Sequence, residues 1–411
     1  MAAREGSKQG RRGVGKFPPI RGILSFAFRF AFFAFLVYQS TNLPIYQPTM
    51  QIAIIGLPNS SKTTIFNALT RGNLETTAYS SGVFELHTAV VNVPDARIDR
   101  LSALFKPRKT TYAKVTYADI AGLAKGVSEG GLSGPLLNAI SQSDALLHVI
   151  RAFEDPDVPH VEGSVDPRRD VEIMDMELLL SDQIIVERRI ERLQAQLKKG
   201  GDKLAKAANE VELELFLRLL ETLNLGAPLR DLDLTPAEEK GLRNYGLLTL
   251  KPMVLVLNVG DDPAGPALEQ LAGYLHRRTT VAALQGKLEM ELAQMPPEEA
   301  AEFLAEYGIA EPGLNRVIRL SYTLLGLHSF FTVGEDEVRA WTIPVGAPAV
   351  EAAGTIHSDL ARGFIRAEVI AYDALIAAGT LANARARGLL RLEGKEYVVQ
   401  DGDILNIRFN V

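Results

Sequence analysis

Short apolar segments alternate with helical repeats along residues 50–332. Residues 50–56, 145–150 and 252–257 are mostly apolar, and residues 115–122 alternate between apolar and polar positions. Short runs of both kinds, bounded by turn residues, are typical of β-strands. Strands that alternate with helices predict an α/β domain whose mostly parallel sheet carries helices on both faces.

A helical pattern at about residues 170–250 interrupts this domain. Apolar residues recur at helical spacing up to Leu197, a Gly200-Gly201 pair breaks the run, and the repeat resumes at Leu204. Two amphipathic runs on either side of a glycine break predict an antiparallel helical hairpin whose apolar stripes face each other.

Residues 333–411 have a different pattern, with short strand-like runs around tight turns. The runs lie at residues 339–345, 364–370, 396–399 and 404–409. This spacing predicts a small C-terminal β-grasp domain.

Residues 1–49 differ in composition from the rest of the chain, because phenylalanines are concentrated there behind a basic lead. Their apolar stretch at residues 23–38 contains Arg29 and is shorter than the roughly 20 residues that a spanning helix needs, so we expect no stable membrane association. Met50 directly precedes the first predicted strand. We therefore interpret Met50 as the physiological start and residues 1–49 as upstream sequence, with a disordered or amphipathic extension as the alternative.

Composition narrows the class of protein. The 411 residues are 47% hydrophobic and 23% charged, which is typical of a globular chain with two or three domains. With 44 basic and 50 acidic residues the net charge is −6, which disfavours a protein that coats nucleic acid. The absence of cysteine excludes disulfides, a thiolate nucleophile and Cys-ligated zinc. We expect a cytoplasmic protein.

A phosphate-binding loop follows the first predicted strand. Residues 56–64 match the pattern G-x-x-x-x-G-K-[ST] except at Ser61, where a second glycine belongs. In this pattern the Lys62 ammonium reaches the β and γ phosphates, the Thr63 hydroxyl holds Mg²⁺, and the helix N-terminus binds the anion. A tight turn with an incidental lysine is the alternative. The predicted nucleotide-binding residues here are Asn59, Ser60, Ser61, Lys62, Thr63 and Thr64.

A second motif, D-x-x-G, ends the alternating strand. Asp119 is placed to hold Mg²⁺ and the Gly122 N–H to sense the γ-phosphate, as in GTPase switches. Leu123 stands where many such enzymes have the glutamine that orients water. Hydrolysis therefore needs another group to position the water.

A third motif follows the strand at residues 252–257. Asn258, Val259 and Asp261 occupy three positions of the base-reading form N-K-x-D, with Val259 in place of the lysine. A carboxylate at Asp261 accepts from the donor pair of guanine, which adenine lacks, so its chemistry weakly favours guanine. A polar turn without a binding role is the alternative.

With these motifs in order, residues 50–411 resemble the YchF-type P-loop NTPases, the Obg-like ATPase family. The further tracts that carry the resemblance are residues 93–97, 105–107, 119–126, 311–315, 338–346 and 395–403. The resemblance implies a G domain interrupted by a helical hairpin, a ubiquitin-like TGS domain at the C-terminus, ATP hydrolysis in preference to GTP, and association with the ribosome. It also implies that His160 assists hydrolysis.

The chain departs from the family pattern at several places. Ser61 and Thr63 replace a glycine and a serine, Asp261 replaces a glutamate, and Val83 stands where a switch threonine is expected. Losing that hydroxyl removes one Mg²⁺ ligand. A non-hydrolysing nucleotide-binding adaptor is therefore the alternative to an enzyme, and a scaffold without chemistry ranks third.

The leading hypothesis is an Mg²⁺-dependent nucleoside triphosphatase whose catalytic residues are Lys62, Gly122 and His160. Asn59 is also where related switches contact K⁺, although a loop-capping asparagine explains it equally well. The expected ligands are ATP or GTP, and the expected partner is the ribosome, through rRNA or a ribosomal protein. We expect contact through the TGS domain and through the hairpin tip, whose basic residues outnumber its acidic ones. Those basic residues are Arg188, Arg189, Arg192, Lys198, Lys199, Lys203 and Lys206. A solvated helix surface without a binding role is the alternative for the hairpin tip.

Overall fold

The described part of the chain contains two six-stranded sheets. The computed structural model describes residues 50–72, 74, 85–121, 134–200, 202–260, 264–271 and 273–410, so the predicted extension at residues 1–49 lies outside the described residues. The strands up to residue 284 are β1 (Gln51–Ile55), β2 (Glu85–Asn92), β3 (Lys109–Thr111), β4 (Lys114–Ala121), β5 (Ala145–Arg151), β6 (Met253–Asn258) and β7 (Thr279–Leu284).

The first sheet has the strand order β2-β4-β1-β5-β6-β7. All its neighbours are parallel except β2, which runs antiparallel to β4. Parallel strands end at one edge of a sheet, and here the register places Asp119 beside Ile54 and Arg151 beside Asn258. The three predicted motifs therefore meet at one edge, as the α/β prediction requires.

Helices cover both faces of this sheet. The helices up to residue 324 are α1 (Lys62–Thr70), α2 (Ala96–Phe105), α3 (Gly134–Ser141), α4 (Pro167–Lys199), α5 (Lys203–Asn224), α6 (Pro236–Leu242), α7 (Ala264–Gln270), α8 (Gly286–Gln294), α9 (Pro297–Glu306) and α10 (Gly313–Leu324). Apolar side chains from α1 and α10 pack on one face, and α3, α7 and the start of α4 pack on the other.

The predicted helical hairpin is present as α4 and α5. Val186 and Leu193 of α4 share a buried apolar cluster with Phe216 and Leu219 of α5. Gly200, which follows α4, has a φ of 77°, a conformation that side-chain-bearing residues rarely adopt. In the described part of the chain no helix is long and apolar enough to cross a bilayer.

The second sheet forms a C-terminal domain with the order β11-β10-β12-β8-β9-β3. Helices α11 and α12 pack on one of its faces. Its first strand begins at Leu327, before the boundary predicted at residue 333. The remaining elements are β8 (Leu327–Val333), β9 (Glu337–Pro344), α11 (Ala349–Ile356), α12 (Ser358–Arg362), β10 (Phe364–Ala371), α13 (Tyr372–Ala378), α14 (Leu381–Ala386), β11 (Arg391–Glu393) and β12 (Asp403–Phe409).

The prediction of a strand at residues 396–399 is wrong. The backbone N–H of Tyr397 donates to the Gly394 carbonyl, 3.3 Å away, which turns the chain there. Val398 keeps only an isolated bridge to Pro348. The Val399 N–H donates to the Ala347 carbonyl at 3.1 Å and the Tyr397 carbonyl accepts from the Ala349 N–H at 2.8 Å, so the turn leaves room for a single bridge to this segment and not for a longer strand.

The two sheets are joined by β3. This strand lies between β2 and β4 of the first sheet in the chain, yet it pairs in parallel with β9 of the second, from Lys109 opposite Glu337 to Thr111 opposite Arg339. No pattern in the sequence predicts this pairing. As a result, the segment that links β2 to β4 of the first sheet also forms an edge strand of the C-terminal domain.

Arg97 in α2 forms a second link between the sheets. Its Nη1 and Nη2 donate to the two carboxylate oxygens of Asp401, at 2.9 and 3.0 Å, and its Nε donates to Asp95 at 3.0 Å. The guanidinium also lies over the Phe331 ring, 5.3 Å from its centroid. Bidentate pairing of this kind is stronger and more specific in geometry than a single hydrogen bond.

We expect Arg97→Ala to lower the free energy of unfolding by about 2 kcal/mol, because two carboxylates lose their charged donor. Trp341 is the chain's single tryptophan and lies in the C-terminal sheet, so its fluorescence during urea unfolding reports the change.

The matched control is Arg108→Ala. Arg108 also joins the two parts, through an ion pair with Asp336, but the side chains are 86% and 83% exposed. Exposed pairs of this kind contribute little, so the control should unfold like the wild type. Equal urea midpoints for Arg97→Ala and the wild type would contradict the role of Arg97.

Candidate nucleotide-binding site

The loop at residues 56–61 connects β1 to α1, as the phosphate-loop motif requires. Gly56 has a φ of 148°, and a Cβ there would lie 2.3 Å from the Val149 carbonyl oxygen. Only glycine fits this close approach between β1 and β5. The turn delivers the first N–H groups of α1, beginning at Lys62, to the edge where the parallel strands end.

Ser61 occupies the glycine position of the motif in the conformation that glycine would use. Its φ of 71° and ψ of 30° lie in the left-handed region, and Asn59 has a φ of 61°. The backbone of the loop therefore has the left-handed conformation that a glycine would adopt, and Ser61 is strained in it.

The Lys62 side chain is folded back onto its own loop. Its Nζ donates to the Leu57 carbonyl oxygen at 2.8 Å. Burial lowers the pKa of Lys62 to about 8, and the charge of nearby Asp119 opposes this shift. The ammonium is thus held at the phosphate-binding turn by a bond that phosphate oxygens can replace.

Thr63 and Asp119 provide oxygen ligands suited to Mg²⁺. The Thr63 hydroxyl donates to Asp119 Oδ2 at 2.9 Å, while the buried Oδ1 has no partner among the described residues. Burial raises the pKa of the Asp119 carboxyl, and the Thr63 hydrogen bond and the Lys62 charge oppose this. One carboxylate and one hydroxyl beside a phosphate site fit the usual protein share of Mg²⁺ coordination. The residues therefore fit the metal.

The loop predicted to read the base is fixed by Asn258. Its buried Oδ1 accepts from the Gly286 N–H at 2.9 Å, which fastens the loop after β6 to the start of α8. Val259 is also buried, and its N–H donates to the Leu284 carbonyl. Of the other predicted residues, Val83, Gly122, Leu123 and Asp261 lie outside the described residues.

The segment that carries His160 contacts the phosphate loop in space, although 100 residues separate Asn59 from Pro159 in the sequence. The preceding carbonyl, of Pro159, accepts from Asn59 Nδ2 at 3.5 Å. The imidazole is turned toward α4, where Nε2 lies 2.9 Å from Asp170 Oδ2. Its side chain is only 3% exposed, because this hydrogen bond turns the imidazole toward α4.

Sequence reasoning missed Arg151 at this edge. This guanidinium is 1% exposed, and it donates from Nε and Nη1 to the carbonyls of Phe153 and Val158 at 3.0 and 2.8 Å. It therefore ties together the two ends of residues 153–158, just before His160. A charged residue at the end of a mostly apolar strand was the available signal.

The loop begins with a glycine and connects a strand to a helix, and Lys62, Thr63 and Asp119 lie together at its end. This arrangement defines a P-loop NTPase of the GTPase class. Residues 51–188 match a family model described as a 50S ribosome-binding GTPase, and residues 327–410 match a YchF-GTPase C-terminal model described as a protein of unknown function. The chain belongs to the YchF family, because relatives of that name share 43–44% of its sequence over nearly their whole length.

Two relatives are called ribosome-binding ATPase YchF. The protein of Pasteurella multocida is 43% identical over 362 residues, and that of Bacillus subtilis is 44% identical over 365 residues, each match covering 87% of this chain and 98% of the relative. The solved YchF GTPase of Schizosaccharomyces pombe is 32% identical with a TM-score of 0.76, over 88% of this chain and 98% of that one. The family resemblance and the fold class predicted from the sequence are confirmed.

We expect Ser61→Val to weaken ATP binding at least about tenfold, because a β-branched residue in the left-handed region costs roughly 1–3 kcal/mol. Ser61→Gly is the matched control and should bind at least as tightly as the wild type, since glycine adopts this conformation freely. Isothermal titration measures both. Wild-type affinity in Ser61→Val would show that the strain at residue 61 does not affect binding.

Proposed function

We propose that this protein is an Mg²⁺-dependent ATPase that binds the ribosome. The observation that carries the proposal is the joint placement of Lys62, Thr63 and Asp119 at the carboxyl edge of the parallel sheet. The names of the relatives support the activity and the partner. A ribosome-associated role would place the protein in the cytoplasm.

Different residues of the site bind the phosphates and the metal ion. Lys62 binds the β and γ phosphates, and the N–H groups of the loop from Asn59 to Thr64 surround them. Thr63 and Asp119 hold Mg²⁺, which when bound neutralises charge on the phosphates. Gly122 senses the γ-phosphate. Asn59 is the residue from which K⁺ would be contacted.

The base lies against the loop after β6. Asn258 fixes that loop, buried Val259 supports it from below, and Asp261 follows as the carboxylate of the motif. Because Val259 removes the lysine of the guanine-specific pattern, the site favours adenine at least as much as guanine. His160 takes the place of the absent glutamine as the group that positions water or moves its proton.

The hairpin tip suits an anionic surface. α4 ends in Lys198 and Lys199, and α5 begins at Lys203, so basic side chains cluster where the two helices meet. Ribosomal RNA is a surface of complementary charge. The C-terminal domain offers a second contact surface.

One observation favours a non-hydrolysing adaptor as the second candidate. The left-handed conformation of Ser61 places a Cβ and backbone strain inside the phosphate loop. Single-turnover hydrolysis with purified protein separates the two candidates, because an adaptor binds nucleotide without cleaving it.

Nucleotide titration tests the site. We expect the wild type to bind ATP at least as well as GTP, and Lys62→Ala to weaken triphosphate binding at least about tenfold, since one ammonium contacts two phosphates. Lys240→Ala, an exposed lysine on α6, is the control and should bind normally. A GTP preference above about tenfold would show that the Asp261 carboxylate decides the base.

His160→Ala tests the proposed catalytic group. We expect kcat to fall about 10²-fold, as for loss of a positioned acid or base, with ATP affinity nearly unchanged. Melting temperature is the control for folding. Equal turnover in the variant and the wild type would remove His160 from the mechanism.

A further inference from the structure

Both ring nitrogens of His160 are engaged by protein groups. The Glu162 N–H donates to Nδ1 at 3.2 Å, and Nε2 lies 2.9 Å from Asp170 Oδ2. An Nδ1 that accepts a hydrogen bond carries no proton, so Nε2 is the donor and Asp170 the acceptor. In this arrangement neither nitrogen is free to take a proton from water.

Asp170 is held firmly in place. It lies in the first turn of α4 and its side chain is 3% exposed. Its Oδ1 accepts from Nε and Nη2 of Arg169, at 3.2 and 2.8 Å. Farther along α4, Asp182 accepts from the Leu248 and Thr249 N–H groups at 2.7 and 2.8 Å, which anchors the helix to the segment before β6.

The loop that carries His160 is less firmly held on the nucleotide side. Its contact with the phosphate loop is the 3.5 Å hydrogen bond from Asn59 to Pro159, at the long limit for such a bond. Gly163, with a φ of 79° and open space around its Cα, follows the histidine and allows the chain to turn. The imidazole can therefore move while Asp170 stays fixed.

We propose that Asp170 is a positioning residue that holds the His160 imidazole away from the nucleotide, so that this hydrogen bond must break before each hydrolysis. The inference rests on the proposed role of His160. The His160–Asp170 hydrogen bond sets the fraction of molecules whose imidazole is free, and hence the basal turnover.

The experiment compares ATP turnover of the full chain with Asp170→Asn and Asp170→Ala. Because a charge-assisted hydrogen bond shifts such an equilibrium about tenfold, we expect kcat to rise by about that factor while KM changes less than about twofold. Glu172→Gln, whose side chain is 65% exposed on the same helix, is the matched control and should leave kcat unchanged.

The double variant Asp170→Asn with His160→Ala separates this role from a structural one. If Asp170 acts only through the imidazole, the double variant turns over like His160→Ala alone. A rise in kcat that persists without the imidazole would overturn the proposal. A fall in kcat in both Asp170 variants would also overturn it, because Asp170 would then orient a working histidine.

Chemical accessibility provides a measurement that does not depend on turnover. Diethyl pyrocarbonate modification, read by mass spectrometry, should be slow at His160 in the wild type and about tenfold faster in Asp170→Asn. His357, whose side chain is 29% exposed, is the internal reference. Equal rates at His160 in both proteins would overturn the proposal. An unchanged kcat in His160→Ala alone would instead refute the catalytic role on which it rests.

Discussion

The parallel pairing of β1 with β4 and β5 is the constraint on which the site depends. It brings the end of β4, with Asp119, and the end of β5, with Arg151, to either side of the loop after β1. The Thr63 to Asp119 hydrogen bond then fixes α1 against β4. Because each functional group follows a different strand, a shift in register of one strand would misplace its group against all the others.

Local patterns predicted the sheet, the phosphate loop and the hairpin, because each rests on residues close together in sequence. What the sequence did not reveal depends on pairings that no local pattern marks. No pattern near Lys109 indicates that it pairs with Glu337, far along the chain. His160 and Asp170 are only 10 residues apart, yet no spacing rule joins a loop histidine to the first turn of the next helix. The left-handed backbone at Ser61 is an intermediate case, because the motif demands it although the residue type disfavours it.

Several polar groups at the site are bonded to the protein itself. Lys62 donates to the Leu57 carbonyl, Thr63 to Asp119, and His160 to Asp170. Ligand binding therefore exchanges existing hydrogen bonds for new ones, and the net gain is smaller than the new contacts alone suggest. The same exchange makes the geometry of the site sensitive to what occupies it.

The pairing of β3 with β9 can form only late in the synthesis of the chain. During synthesis, residues 109–111 leave the ribosome long before residues 337–344. The edge of β3 therefore stays unpaired until β9 has been made. The segment between β2 and β4 therefore reaches its final pairing only after the C-terminal domain has been made. A fragment cut before Leu327 would lack this partner and the Asp401 contact of Arg97, and it would not reproduce the domain as it exists in the whole chain.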